Sequence, residues 1–180
     1  MTTVASPVEE AALSSDEIIP AVRGEFYAYT CGFSAERPLY FLLKCKANKA
    51  RPLTTDVEQL LQELDLTFIF SDEVLLCSPS SGPSTDLLRN VLNDADLRRL
   101  NKTEIRLSAL STDRFHRSLE ARSGLVLVDA FHGSEPSDSV VRLSEGMTLS
   151  VRTASNKYAL IRLRNVTVSA CTLEASHILL

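Results

Sequence analysis

The sequence predicts an α+β protein, with a mixed α/β N-terminal part and an antiparallel β-meander or small barrel in the C-terminal third. Three observations lead there. Helical patterns over 55–64 and 84–100 sit among short β-type runs in the first two thirds. From Gly124 onward, LVLVDAF, MTLSVRT, YALIRLRNVTVSA and CTLEASHILL follow one another with turn residues between them. Within Thr148 to Arg164, Leu149, Val151 and Thr153 alternate with Ser150 and Arg152; after a polar break, Ile161 and Leu163 alternate with Arg162 and Arg164. Successive strand side chains point to opposite sides, so this stretch reads as a hairpin with one buried and one solvated face. The implied organisation is a flexible acidic tail over 1–14, a mixed region over 15–122 and a β-rich region over 123–180, the last two separate or one continuous domain.

The tail is small, acidic and aperiodic, and Pro20 limits any helical turn over Ser15 to Val22. Glu9, Glu10, Asp16, Glu17, Glu25 and Glu36 face only Arg23 before Arg37, which makes the opening segment acidic. EFYAYTCGF and PLYFLLKCK then flank a polar break and read as a core hairpin. Aromatic rings fall on both faces of its first strand, and Tyr27 and Tyr29 are candidates for a partner contact or a self-association surface.

A cationic connector over Ala47 to Pro52 precedes a helix in which Thr55 and Glu58 form a capping box and Val57, Leu60, Leu61 and Leu64 share a face. Leu66 to Phe70 and Val74 to Cys77 read as two strands joined by Ser71 to Glu73. SPSSGPS, Ser78 to Ser84, has the composition of an exposed loop or a boundary. Ser84 then caps a helix with a Leu88, Val91, Leu92, Ala95 stripe that ends near Leu100. Thr103 to Leu110 alternates as a strand, and Thr112 to Ala121 forms a helix directing Phe115 and Leu119 inward. The apolar end Ile178, Leu179, Leu180 suits a final strand held in a sheet.

The chain has 180 residues, 44% hydrophobic and 23% charged, enough for a core without staples. A net charge of -4 opposes general nucleic-acid binding, because neutralising phosphates demands a cationic surface. No apolar run approaches the roughly 18 residues of a membrane span. Cys31, Cys45, Cys77 and Cys171 are far apart without a CxxC pair, which suggests buried thiols and a cytoplasmic setting. Six scattered glycines form no phosphate cradle, so no nucleotide cofactor is expected; three scattered histidines suggest no metal.

Asp129 and His132 lie close together at the end of an apolar run, and with a thiol such as Cys77 they would sketch a hydrolase or transferase centre. No nucleophile elbow accompanies them. Positive charge, by contrast, gathers in the second half. Arg142, Arg152, Lys157, Arg162 and Arg164 face only Glu145 between Arg142 and Arg164, and Arg162 and Arg164 share one strand face. Guanidinium groups on a rigid sheet suit bidentate capture of carboxylates or phosphates. The sequence therefore predicts a non-catalytic cytoplasmic adaptor that engages an acidic protein surface through Arg142, Arg152, Arg162 and Arg164, with Tyr27 and Tyr29 as a second contact. The alternatives are an assembly subunit that self-associates through strands as a homo-oligomer, and the Asp129–His132 enzyme.

Overall fold

A computed structural model describes residues 25–42 and 49–179. The expected tail, the turn over Ser15 to Val22, Cys45 and Leu180 lie outside the described residues. Helices and antiparallel sheets mix in an α+β fold without a closed barrel.

Two antiparallel sheets stack face to face. The first contains β1 (Glu25–Ser34), β6 (Glu104–Ser108), β7 (Glu135–Pro136), β9 (Thr148–Arg152), β10 (Tyr158–Arg164) and β11 (Ala170–Leu179), in the order β1-β11-β10-β9-β6-β7. The second contains β2 (Leu39–Tyr40), β3 (Ala50–Arg51), β4 (Leu66–Phe70), β5 (Val74–Cys77) and β8 (Val140–Arg142), in the order β3-β2-β4-β5-β8. Their facing sides interdigitate Cys31, Phe33, Ile161 and Leu173 of the first with Tyr40, Leu66, Phe68 and Leu76 of the second. Phe33 is the main rivet, stacked on Phe68 at a centroid distance of 4.1 Å and edge-on to Tyr40 at 5.3 Å.

Helices close the outer faces. α1 (Val57–Glu63), α2 (Gly82–Leu88) and α3 (Asp94–Leu97) cover the second sheet, where Leu60, Leu61, Leu64, Leu88 and Leu97 bury against Leu39 and Phe41. α4 (Thr112–Ala121) and α5 (Gly124–His132) cover the first, where Phe115, Leu127 and Val128 bury against Leu160. Four layers result, helices outside and sheets inside. Strand pairing crosses the 122/123 boundary in both sheets, since β1 pairs with β11 and β5 pairs with β8.

Several expectations need correction. The run LVLVDAF is helical, not a strand. A short apolar run has no period to separate a buried helix from a buried strand, and here Gly124, Leu127, Val128 and Phe131 supply the buried positions of α5. β1 and β2 do not form a core hairpin; apart from a bridge between Ser34 and Arg37 they part, one into each sheet. Residues 50–51 of the cationic connector are strand β3. The cap of α1 is Asp56, whose carboxylate accepts from the Gln59 amide at 3.1 Å, while Thr54 Oγ1 accepts from the Asp56 amide at 3.2 Å. The helix expected over 84–100 is two short ones, restarted at Asn93, whose side chain accepts from the Ala95 and Asp96 amides.

SPSSGPS is not simply an exposed loop, although Ser80 and Gly82 reach solvent. Ser78, Ser81 and Ser84 are buried and satisfy one another: Ser84 Oγ donates to Ser78 O at 2.8 Å and Ser81 Oγ donates to Ser84 Oγ at 3.1 Å. Ser78 Oγ also accepts from the Thr103 amide at 2.9 Å, and Thr67 Oγ1 pairs with Ser84 Oγ. Short hydroxyl side chains let this polar segment bury because every donor meets an acceptor.

Phe33→Ala should lower the unfolding free energy by about 3–5 kcal/mol in urea titrations, since a ring is lost from a packed inter-sheet contact. Val168→Ala, at a position 61% exposed, should stay within about 0.5 kcal/mol of the parent.

Candidate functional site

The arginines expected to act together do not all share a face. Arg142 lies on β8 in the second sheet, exposed and paired with Glu73 at 3.2 Å. Arg152, Arg162 and Arg164 share the outer face of the first sheet, in register with β11 and β6. That face is not solvated along its length as alternation predicts. α4 and α5 cover its middle, over Leu160 and over Ser150, whose hydroxyl accepts from Ser134 Oγ at 3.2 Å. The cations occupy the two ends.

At one end Arg152 Nη2 donates to Glu104 Oε2 at 2.7 Å, and Arg106 Nη2 donates to Glu104 Oε1 at 2.8 Å. Partial burial alone would raise the Glu104 carboxyl, but these two guanidinium hydrogen bonds outweigh it and hold the group below its ordinary value. Both guanidiniums also lie over the buried Phe131 ring, Arg106 at 4.2 Å and Arg152 at 5.2 Å from its centroid. Arg152 is thus engaged structurally on both sides.

At the other end Arg162, Arg164 and His116 converge on Glu174. β11 places Glu174 opposite Arg162. Arg164 Nη1 donates to Glu174 Oε1 at 2.7 Å, His116 Nε2 of α4 lies 3.4 Å from Oε2, and Arg162 Nη1 lies 3.9 Å from Oε2. Burial pulls the Glu174 carboxyl upward, and hydrogen bonds from Arg164 and His116 more than offset it, so it stays below its usual value. Arg164 is 53% exposed, Arg162 and Glu174 only 16%. The arrangement is a carboxylate cradle with more cation than anion. Arg162 and Arg164 are legible by alternation; His116 and Glu174 are not, because only the fold brings α4 and β11 alongside β10.

Tyr27 and Tyr29 turn inward, not outward. Tyr27 stacks on His177 at 5.5 Å, Tyr29 meets the same ring edge-on at 5.5 Å, and the Tyr29 and Tyr40 hydroxyls hydrogen-bond to each other. Tyr29 is therefore part of a polar knot between the sheets. Lys49, 4% exposed, sits over the Tyr29 ring at 4.4 Å and donates to Leu42 O at 3.1 Å. Asp65, 5% exposed, accepts from the Leu42 amide at 2.8 Å. Burial raises the Asp65 carboxyl to about 7, against the lowering effect of the Leu42 amide and of Lys157 and Lys49. Burial, reinforced by Lys49 and Lys157, depresses the His177 imidazole to about 3. No spacing in the sequence announces this knot, whose members come from five separate segments.

Asp129 and His132 sit on α5, one turn apart, with His132 edge-on to Phe131 and tilted against Tyr158. Cys77 is attached to the opposite outer face, beside Thr67 and under α2. Burial raises its thiol to about 11, although Ser81 and Ser84 hydrogen bonds oppose this. The Cys77, His132, Asp129 constellation is therefore not assembled: both sheets intervene, and a protonated thiol is a poor nucleophile at neutral pH. Among the described residues no group of three or more His, Cys, Asp or Glu is placed to hold a metal, and no helix is long and apolar enough to cross a membrane.

No protein-family model matches the chain, and no curated protein matches it. Its fold is similar to that of a solved structure, a DUF4466 family protein from Parabacteroides merdae, with a TM-score of 0.54 at 13% sequence identity. The match covers 86% of this chain and 54% of that one, so the chain spans about half the length of this neighbour. At such identity the likeness concerns the fold alone.

The buried knot carries a pH signature. Folded Asp65 keeps its proton up to about pH 7, whereas its unfolded counterpart releases it near 3.8. Unfolding therefore liberates a proton in that window, and raising the pH through it weakens the fold. Asp65→Asn keeps an acceptor for the Leu42 amide and removes this dependence. Its stability relative to the parent should improve from pH 4 to pH 8 by on the order of a few kcal/mol in urea unfolding. Parallel pH profiles for the two proteins would refute the assignment.

Proposed function

We propose that the protein is a non-catalytic cytoplasmic adaptor that engages an acidic protein surface at Arg162, Arg164 and His116, on the outer face of the β10–β11 ladder. One observation carries this reading: two guanidiniums and an imidazole converge on the single carboxylate of Glu174. That side chain shows, within the molecule, the kind of group the cradle accepts. Two arginines against one glutamate leave surplus positive charge, and an incoming carboxylate meets it on a rigid strand. Arg164 is half exposed, so its pairing with Glu174 is worth only about 0–1 kcal/mol and is readily exchanged for an external acid. Surplus charge at the surface also speeds encounter with an acidic partner.

The buried thiols support the same compartment. Cys77 and Cys171 are free, Cys31 is buried like them, and burial raises all three thiols, which suits a reducing environment. Arg142 and Arg152 play no part in this reading, since one lies on the other sheet and the other braces Phe131.

Fluorescence anisotropy with a labelled glutamate-rich peptide at low salt tests the cradle. The parent should bind saturably and lose affinity as salt rises. Arg164→Glu should weaken binding by at least about tenfold, the effect of removing a charge-assisted contact and adding a repulsive one. Glu174→Gln should strengthen it, because it removes the internal competitor; a merely structural Glu174 would give no gain. Absence of saturable binding by the parent, or no gain for Glu174→Gln, overturns the proposal.

A further inference from the structure

A cleft of about 390 Å³ opens between α4, α5 and the loop joining β6 to α4. It shares no residue with the Glu174 cradle. Leu110, Val126 and Ala130 give it apolar walls, and Arg114 and Asp129, both exposed, bring opposite charges to it. Arg114 is positioned by its place in the first turn of α4, where its amide donates to the capping Ser111 Oγ at 3.4 Å. Asp129 is positioned one turn before the end of α5, where its carbonyl accepts from the Gly133 amide at 2.9 Å.

The two charges line one hollow, yet they form no ion pair with each other, and neither side chain pairs with any other described residue. The arginines of the underlying sheet face differ, since Arg106, Arg152, Arg162 and Arg164 are each paired. An unpaired cation and an unpaired anion lining one hollow with apolar residues make a template for a ligand that carries both signs at one end and hydrocarbon at the other. Ser118 sets the polarity. Its hydroxyl donates to Phe115 O at 2.6 Å, so toward the cleft its oxygen is an acceptor, which favours a cationic group over an anionic one.

We propose that this cleft binds a free α-amino acid with an apolar side chain of leucine or phenylalanine size. The carboxylate lies on Arg114, the ammonium between Asp129 and Ser118, and the side chain against Leu110, Val126 and Ala130. The volume is at the small end of the roughly 300–1,000 Å³ range of ligand sites, as suits a small molecule.

Titration of the full chain with L-phenylalanine, followed by two-dimensional NMR, tests the assignment. Saturable shifts should gather on α4, α5 and the loop before α4. N-acetyl-L-phenylalanine lacks the ammonium and 2-phenylethylamine lacks the carboxylate; each should bind at least about tenfold more weakly, the loss expected for one charge-assisted contact. Arg114→Gln should weaken L-phenylalanine by a similar factor while leaving 2-phenylethylamine unchanged. Asp129→Asn should do the same while leaving N-acetyl-L-phenylalanine unchanged. The proposal is overturned if L-phenylalanine gives no saturable shifts, if the two analogues bind as well as the zwitterion, or if the variants weaken all three probes alike.

Discussion

The double pairing of β11 is the constraint on which the rest of the structure depends. Along its length β11 pairs with β1 on one edge, and over most of it with β10 on the other. Its alternate side chains serve both sides of the sheet. Cys171, Leu173 and Ala175 enter the core between the sheets, while Glu174 faces the outer side. Without this strand β1 has no place in the sheet, Phe33 loses its position over Phe68, and Arg162 and Arg164 lose the carboxylate that orders them.

The outer faces are completed by different chemistry. Over the second sheet the cover is mainly leucine, with buried serines joining the α2 end to β4 and the Thr103 backbone. Over the first sheet an aromatic and aliphatic patch takes α4 and α5, and guanidiniums take over at the two ends. At the Phe131 end the cations brace a ring and, through Arg106, the Phe131 carbonyl in the last turn of α5. At the Glu174 end Arg164 alone is half exposed, while Arg162 and Glu174 are largely covered. Position along the same strands therefore decides whether an arginine braces a ring or pairs with a carboxylate near solvent.

Legibility in the sequence follows the contrast between faces. β9 and β10 show themselves because their alternation is strong, and α4 because Phe115 and Leu119 stand out against charged neighbours. α5 does not, because LVLV is apolar in every direction and period carries no information there. The separation of β1 from β2 is equally hidden, since local pattern shows that a segment is extended but not which strand it will join. The Glu174 cradle is half legible. Its arginines lie two apart on one strand, but its acid and imidazole come from β11 and α4. The Tyr29, Tyr40, Lys49, Asp65, His177 knot is wholly a product of the fold, and serine-rich 78–84 misleads because composition does not show mutual satisfaction of hydroxyls.

The partnership between the earliest described strand and the last has a consequence for biosynthesis. During translation β1 leaves the ribosome long before β11 exists, with nearly the whole described chain still to be made. Throughout that interval its Tyr27, Tyr29 and Phe33 rings have no sheet to join, and closure of so large a loop is slow. The nascent protein thus carries an aromatic extended segment that must be kept from foreign strands until the C-terminal end emerges, which makes it a natural client for chaperones that shield unpaired β segments.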